Sequence, residues 1–352
     1  MSDIASVELH PRDRPRYELA NKDVLLVEGH ADPGEIGRCA LVGNEQVGLL
    51  YQNHLFRLRF RQVVPEFALL WLNSVYVRSY WRTNCATSSG LYTINSKLLG
   101  QVPFPVLPEA EQRRIVAAHA AFERRIGAME AVAAKRVKLL DALVEHLLQT
   151  GEASLVSLKE AGAQIDAGVT LGAHRVPHLR PTGYLRVANV RKGWIEGDIA
   201  LLEAMERDHR RYSLSPGDLL VVEGHADPEQ IGRCAMVGPE QEGLLYQNHL
   251  FRLRFDDVLA EFAMLWLNSR AVRSYWKSNC ATSSGLYTIN SGLLEGVPFP
   301  RVSHEEQERV VGVWMAESRA LALMRQRIAK LRLIQQSVVE DLLLGRAESP
   351  AA

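Results

Sequence analysis

One stretch of the chain is written twice. Residues 26–60 read "LVEGHADPGEIGRCALVGNEQVGLLYQNHLFRLRF", and residues 221–255 read "VVEGHADPEQIGRCAMVGPEQEGLLYQNHLFRLRF". A shift of 195 positions carries Tyr17 onto Tyr212 and needs no gap until it carries Gln112 onto Gln307. A repeat of this length indicates a duplicated domain rather than a solenoid of short repeats.

The two copies differ at their front ends. Under the same shift Met1 aligns with Glu196, so the first copy has no counterpart to almost all of residues 155–197, "LVSLKEAGAQIDAGVTLGAHRVPHLRPTGYLRVANVRKGWIEG". We call residues 155–197 the front segment. The sequence therefore predicts a shortened domain, a long helix, a complete domain and a second long helix. The expected boundaries are 1–108, 109–150, 151–303 and 304–346, followed by a disordered tail at 347–352.

Local patterns predict the elements inside each copy. The near-alternation of "HLFRLRF" at 54–60 and 249–255 favours a strand with one solvent face, which would carry Arg252 and Arg254. "SPGDLLVVEG" predicts a turn and a short buried strand, and the Gly- and Pro-containing "EGHADP" predicts a loop. "PEFALLWLNS" and "AEFAMLWLNS" predict short helices. "SNCATSSGLYTINS" is polar and rich in small residues, which favours a loop.

A heptad pattern follows each domain, starting just after "VPFP". The apolar seam positions are Ile115, Phe122, Ile126, Met129, Leu140, Leu143 and Leu147 in the first helix, and Val310, Trp314, Leu321, Met324, Ile328, Leu331, Val338 and Leu342 in the second. Each helix would span about 35 residues, or roughly 50 Å. The expected fold class is α+β: two globular α/β domains joined by two long helices packed as an antiparallel coiled coil, in a pseudo-two-fold repeat.

Composition limits the classes of protein that fit. The 352 residues are 47% hydrophobic and 23% charged, with 41 basic and 41 acidic side chains, as in soluble two-domain proteins without a strongly basic coat. No apolar run reaches the roughly 18 residues of a membrane span, and the start lacks a secretory pattern, so we expect a cytoplasmic protein without membrane partners. Cys39, Cys85, Cys234 and Cys280 lack CxxC spacing and are expected to be buried, reduced thiols.

The chain resembles the specificity subunit of type I restriction–modification systems. The resemblance rests on the order of several short motifs and on the duplication. The motifs of the second copy are "GYLRVANVRKGWIEGDI", "YSLSPGDLLVVEG", "IGRCAMV", "YQNHLFRLRF", "TSSGLYTINS", "VPFP" and "EEQERVV"; "EAEQRRIV" opens the first helix. In that family two target-recognition domains alternate with two spacer helices, and the missing front end of the first copy departs from this pattern.

This resemblance implies a reader of double-stranded DNA that has no catalytic activity and no cofactor. Catalysis would belong to its partners, a methyltransferase subunit and a restriction/translocase subunit. Each domain would recognise half of a bipartite site, and two nearly identical domains favour nearly inverted half-sites. The alternative is a truncated half-reader that acts mainly as a partner-binding module.

Base and phosphate contacts require Arg, Lys, amide or hydroxyl side chains on exposed loops. The candidates for DNA binding in the second copy are Arg186, Asn189, Arg191, Lys192, His225, Arg233, Thr282, Ser283, Ser284 and Tyr287. Those in the first copy are Arg38, Thr87, Ser88, Ser89 and Tyr92. The candidates for partner binding on the helices are Leu140, Leu143, Leu147, Leu331, Val338 and Leu342.

The "EGHADP" motif also permits a less favoured interpretation, a metal-dependent hydrolase. Glu223, His225 and Asp227 lie two residues apart, but Gly and Pro indicate a loop, and no second cluster of ligand spacing supports a metal. Phosphate-loop, dinucleotide-binding, nucleophile-elbow and HExxH motifs are all missing from the sequence. We therefore expect no catalytic residues and no metal site.

Overall fold

The computed structural model describes residues 4–88, 90–149, 154–283 and 286–346, so the predicted tail at 347–352 lies outside the described residues. The chain is mixed helix and sheet, which confirms the predicted α+β class. It divides into two compact units: the first unit is Met1–Val132 with Met324–Ala352, and the second unit is Ala133–Leu323. Each unit therefore contains one globular domain and parts of both long helices.

The first half of the chain forms a short domain and a long helix. Its strands are β1 (Val24–Val27), β2 (Gly29–His30), β3 (Cys39–Leu41), β4 (Leu55–Leu58), β5 (Ala86–Ser88) and β6 (Leu91–Thr93). Its helices are α1 (Arg14–Tyr17), α2 (Pro65–Leu72), α3 (Val75–Asn84), α4 (Ser96–Gly100) and α5 (Glu109–Gln149).

The second half repeats this order and adds strands from the front segment. Its strands are β7 (Leu155–Ser157), β8 (Gln164–Ala167), β9 (Pro181–Leu185), β10 (Ala200–Glu203), β11 (Leu219–Val222), β12 (Gly224–His225), β13 (Cys234–Met236), β14 (Leu245–Tyr246), β15 (Leu250–Arg254), β16 (Ala281–Ser283), β17 (Leu286–Thr288) and β18 (Pro298–Pro300). Its helices are α6 (Glu206–Tyr212), α7 (Ala260–Leu267), α8 (Arg270–Asn279), α9 (Ser291–Glu295) and α10 (His304–Leu343).

The central sheet of each domain is antiparallel. Its strand order is β3-β1-β4 in the first domain and β13-β11-β15-β8 in the second. The predicted "HLFRLRF" strand is confirmed in both copies. Its predicted solvent face is wrong in the second domain, where β8 covers the edge of β15 and the side chains of Leu250–Leu253 are all buried.

The front segment supplies three strands to the second domain. β7 pairs with β18, β8 pairs with β15, and β9 lies between β10 and β14. In the first domain the equivalents of β10 and β18, residues 5–8 and 103–105, form no strand. Those residues lack the pairing partners that the front segment provides, so the same local sequence pattern gives a strand only where its partner exists.

Both domains hold their helices against the sheet with the same side chains. The amide of Asn268 at the end of α7 accepts a hydrogen bond from the Cys234 backbone N–H (3.1 Å) and donates one to its carbonyl (2.8 Å), and Asn73 does the same at Cys39. Gly232 has a positive φ of 65°, and a Cβ there would lie 2.3 Å from the Trp276 indole. Only glycine therefore allows that indole to close the core.

The long helices run antiparallel within each unit. In the first unit Glu130 pairs with Arg332, and Gln335 donates to Glu123; in the second unit Arg136 pairs with Glu317. The predicted seam positions Ile115, Ile126, Val310, Leu321 and Ile328 are buried. The helices have 41 and 40 residues, so each is about 60 Å long, which exceeds the predicted length.

The end of each long helix contacts a short helix of the globular domain in its unit. In the first unit Glu340 of α10 accepts a hydrogen bond from the backbone N–H of Val75 (2.8 Å). In the second unit Glu145 of α5 accepts one from Arg270 (2.6 Å). These donors are the free first N–H groups of α3 and α8, so each glutamate caps a helix start. Of the helices in the described residues, none is long and apolar enough to cross a membrane.

Candidate nucleic-acid interface

Two motifs that are separate in sequence form one small sheet. In the second domain β12, the start of "GHADP", pairs with β17 of the "SGLY" hairpin, so His225 lies opposite Tyr287. The first domain repeats this pairing with His30 opposite Tyr92. The predicted loop "SNCATSSGLYTINS" is therefore wrong over β16 and β17, because backbone pairing to β12 overrides its turn-forming composition. We call this sheet with its hairpin the hairpin sheet.

The hydroxyl candidates follow the outer strand of the hairpin sheet. Thr282 and Ser283 belong to β16, and Thr87 and Ser88 belong to β5. Ser284 and Ser89 lie outside the described residues. Thr282, Ser283, His225 and Tyr287 thus belong to one structural element.

A cavity of about 690 Å³ opens beside the hairpin sheet in the second domain. Its polar lining includes Glu223, His225, His249 and Asn279. His249 Nδ1 lies 2.7 Å from a Glu223 carboxylate oxygen, and the His249 side chain is 63% exposed. In the first domain the equivalent His54–Glu28 distance is 3.9 Å. The cavity therefore offers both a carboxylate and imidazole groups beside the hairpin sheet.

Two of the three spaced side chains of "EGHADP" are used within the motif, while Glu223 pairs with His249 outside it. His225 Nδ1 accepts a hydrogen bond from the Asp227 backbone N–H (3.0 Å), and Asp227 Oδ1 accepts one from Glu229 (2.9 Å). Within the described residues, no group of three His, Cys, Asp or Glu side chains is placed to hold a metal ion. These local bonds stabilise the turn that follows, whereas Gly224 and His225 of the predicted loop form β12.

The turn at the end of the front segment presents two of the predicted cations. Arg191 and Lys192 are exposed, and Arg191 Nε donates to Glu196 (2.8 Å). The indole N–H of Trp194 also donates to Glu196, and these two hydrogen bonds lower the pKa of that carboxylate. Arg186 is half-buried and donates to the carbonyl of Asp198. Arg191 and Lys192 are therefore the accessible cations of this turn.

Two predicted DNA contacts are buried instead. Asn189 is 2% exposed; its Oδ1 accepts from the Arg186 N–H, and its Nδ2 donates to the Glu196 carbonyl. Arg233 is 5% exposed and donates to the carbonyls of Val190 (2.6 Å) and Val187 (2.8 Å). Burial lowers the pKa of the Arg233 guanidinium. This burial argues against DNA contact by either side chain and indicates that both position the turn.

Arg38 is the counterpart of Arg233 in the first domain, which has no front segment. Its side chain is 61% exposed and pairs with Glu35. The carbonyls that bind Arg233 belong to residues 187 and 190, which have no equivalent in the first domain. Arg38 is therefore accessible, as predicted, while its counterpart is not.

One basic element was missed at the sequence level. Helix α6 exposes Arg207, Arg210 and Arg211, and it is held by Asp208, which binds Arg175 at 2.5 Å and is 5% exposed. Hydrogen bonds from Arg175 lower the pKa of Asp208. In the first domain α1 exposes Arg14 and Arg16. The signal was the charge run "ERDHRRY", which is short enough to be overlooked in a chain of zero net charge.

Most of the predicted partner-binding residues pack inside a unit. Leu140 is buried and Leu147 is partly buried in the core of the second unit, and Leu342 and Val338 pack in the core of the first. The reason is that each helix end packs against a globular domain, which uses its apolar face. Leu143 and Leu331 are half-buried. The exposed apolar side chains of the helices are instead Val132, Leu139, Met315, Leu323, Leu333 and Ile334.

Comparison with known proteins agrees with the resemblance found in the sequence. No family model matches the chain. It is 27% identical over 179 residues to the type I restriction enzyme EcoKI specificity subunit of Escherichia coli K12, and 25% identical over 119 residues to the StySPI specificity subunit of Salmonella potsdam. These matches cover 47% and 33% of this chain but only 39% and 26% of the relatives, well under half of their lengths.

Two solved structures share the fold over most of the chain. One comes from work on assembly and conformational transition of a type I restriction–modification system, with a TM-score of 0.65, 15% identity, and coverage of 93% of this chain and 82% of that one. The other is the HsdS subunit of Thermoanaerobacter tengcongensis, with a TM-score of 0.51, 17% identity, and coverage of 94% and 82%. The predicted resemblance to specificity subunits and the predicted architecture are thereby confirmed.

Proposed function

We propose that this chain is the DNA-recognition subunit of a type I restriction–modification complex and has no catalytic activity of its own. The observation that carries the proposal is the hairpin sheet, which occurs in both domains of a chain with the fold of specificity subunits. One reading element at each of two positions in a chain suits a bipartite site. A methyltransferase subunit and a restriction/translocase subunit would supply the chemistry.

The roles follow from what each residue type can bind. Arg191, Lys192 and the arginines of α6 would contact phosphates, which fixes register and makes affinity fall with salt. His225, Tyr287 and the hydroxyls of β16 would meet base edges, since hydroxyl and imidazole groups can both donate and accept hydrogen bonds. In the first domain His30, Tyr92, Arg38 and the hydroxyls of β5 would take the same part.

A second candidate function is a half-reader that binds partners but reads one half-site. It is favoured by a specific observation: the first domain has a three-stranded central sheet where the second has four strands, and its equivalent of β10 is unpaired. We expect a domain with fewer paired strands to open locally at a lower free energy. In that case only the second domain would discriminate between sequences.

The experiment that tests the proposal is a methylome of the source cell, read by long-read sequencing with and without this gene. Loss of a bipartite N6-methyladenine motif on deletion would establish that the chain sets specificity, and a nearly palindromic motif would indicate that both domains read alike. Survival of every motif would refute the proposal.

Paired substitutions then separate the two candidates. In the methyltransferase complex, Tyr287→Ala should relax recognition of one half-site, and Tyr92→Ala should relax the other. If Tyr92→Ala leaves the motif unchanged while Tyr287→Ala alters it, the half-reader is the correct description. Lys97→Ala, an exposed position in α4, serves as the matched control and should leave the motif intact.

A further inference from the structure

We infer that the first domain binds a polypeptide segment with the chemistry of residues 155–197. The segment would lie along β4 and over an apolar groove beside it. The inference does not depend on DNA recognition, and its test contains no DNA. Its basis is that in the second domain the front segment covers an almost identical surface.

The first observation is an open sheet edge. In the second domain β15 pairs with β11 on one side and with β8 on the other, where Phe251 lies opposite Ala167 and Leu253 opposite Ile165. Among the strands of the described structure, β4 pairs with β1 alone. An edge of this kind presents unpaired N–H and C=O groups that can pair with another chain.

The second observation is a groove of about 810 Å³ next to β4. Five half-buried apolar side chains line it: Leu25, Leu49, Leu50, Tyr51 and Leu55. Their counterparts Leu220, Leu245, Tyr246 and Leu250 are 0% exposed, and Leu244 is partly buried. Burial of such apolar surface favours binding. The groove is therefore lined by half-buried apolar side chains whose counterparts belong to the core of the second domain.

The third observation identifies the cover. In the second domain Leu220, Tyr246 and Leu250 share a core with Leu185 and Val190, and Leu245 shares one with Val169 and Tyr184. All four covering residues belong to the front segment. The occupant therefore needs apolar side chains with the spacing of positions 169, 184, 185 and 190.

The fourth observation is that Arg57 has the same local contacts as Arg252 but no acidic partner among the described residues. Arg252 donates to the Asp166 carboxylate (2.8 Å) and to the Ser213 carbonyl, and it lies over the Tyr246 ring. Arg57 makes the two equivalent local contacts, to the Glu18 carbonyl (2.7 Å) and over Tyr51. What Arg57 lacks is an acidic side chain in the position of Asp166. The occupant should supply that carboxylate.

The residues at the start of the described chain agree with this placement. Ile4, Ala5, Val7 and Leu9 line the groove. They align with Ile199–Ala204, where β10 pairs with β9. The groove is therefore lined by the equivalents of β10, the strand that pairs with β9 in the second domain.

The test uses the full chain and a fluorescent peptide with the sequence of residues 154–199. We expect one peptide to bind per chain. Arg57→Asp should weaken binding at least about tenfold, because it removes a charge-assisted hydrogen bond and opposes Asp166 with a like charge. A peptide carrying Asp166→Arg should bind the Arg57→Asp chain and restore the affinity. Arg82→Asp, an exposed position on α3, should change nothing.

A tethered form guards against a peptide that is insoluble on its own. Residues 154–199 are joined through a Gly/Ser linker ahead of Met1, and amide exchange is measured across β4. The tether should protect Leu55–Leu58 at least about tenfold, and the same tether with Asp166→Arg should protect them less.

Three outcomes would overturn the inference. The peptide and the tether could both fail to bind or protect β4. Binding could be insensitive to Arg57→Asp, which would mean that the peptide exchanges with the front segment of the second domain. The chain could also be a dimer that the peptide converts to a monomer, which would assign the groove to a second copy.

Discussion

Arg57 and Arg252 stand at equivalent positions, bind equivalent carbonyls and lie over equivalent tyrosine rings, yet Arg252 is buried against Asp166 while Arg57 is half-exposed. Arg38 and Arg233 differ in the same way. The comparison shows that the environment of a repeated residue is set by sequence far from it. The front segment converts an exposed edge into a core, so identical side chains have different energetic roles in the two domains.

The largest expected difference in stability between the two domains is the loss caused by replacing Asp208 rather than the equivalent Asp13. Asp208 is a buried partner of Arg175, whereas Asp13 is exposed and its side chain makes no capping bond to α1. Asp208→Ala should lower the free energy of unfolding by about 3–5 kcal/mol because it strands a buried charge. Asp13→Ala should cost about 0.5 kcal/mol or less. Urea titration followed by circular dichroism measures both, and equal losses would contradict the comparison.

Acid should remove the same contribution gradually. Arg175 lowers the pKa of Asp208 in the folded state, so the ion pair contributes fully above the unfolded value of about 3.9 and is lost as pH falls through the folded value. The stability gap between the parent chain and Asp208→Asn should therefore narrow below about pH 4. Asp13→Asn is the control, because the Asp13 side chain makes no capping bond to α1.

Arg233 and Arg38 test the comparison at the turn. Arg233→Ala should cost about 2–3 kcal/mol, since it leaves the buried carbonyls of Val187 and Val190 without donors. Arg38→Ala removes an exposed ion pair worth about 0–1 kcal/mol. Thermal unfolding of the two variants compares them directly. A loss at Arg38 as large as that at Arg233 would show that the first domain covers its arginine in solution.

The helix ends sharpen the comparison because here the domains should behave alike. Glu145→Ala and Glu340→Ala each remove one carboxylate from a helix start and should each cost about 1 kcal/mol. Glu130→Ala, which removes an exposed ion pair, provides the control. Chemical denaturation that separates the two glutamates by more than about 1 kcal/mol would show that only one helix end is docked.

The smallest expected effect concerns the thiols. All four cysteines are free; Cys39 and Cys234 are buried, while Cys85 and Cys280 are partly exposed. Burial raises the pKa of Cys39 to about 12, which suppresses its thiolate. A disulfide reagent at pH 8 should label Cys85 and Cys280 first and label Cys39 and Cys234 only on denaturation. Mass spectrometry of the labelled peptides identifies the order.

Much of this fold was predictable because the duplication and the heptads can be recognised in the sequence itself. The "HLFRLRF" strand and the helices "PEFALLWLNS" and "AEFAMLWLNS" were found from their patterns. Periodicity also found buried seam positions such as Ile115 and Val310, but Val144, Leu148 and Val339 are buried too and lay outside the predicted seam. The hairpin sheet was not, since its strands are too short for a pattern and are stabilised by pairing to β12, more than fifty residues away in sequence. The burial of Arg233 and Arg252 was missed for a related reason: their partners belong to the front segment, and no spacing rule links them.

Each long helix begins in one unit and ends in the other, and this has a consequence for the continuity of the backbone. The first unit is built from residues before 133 and after 323, and the second from the residues between. A gene divided after residue 149 would give two polypeptides, each of which contributes to both units through Glu145, Glu340 and their neighbouring apolar side chains. Neither fragment could complete a unit alone, so the pair should assemble by complementation. In genetic terms, this protein could be split into two open reading frames and still function as one.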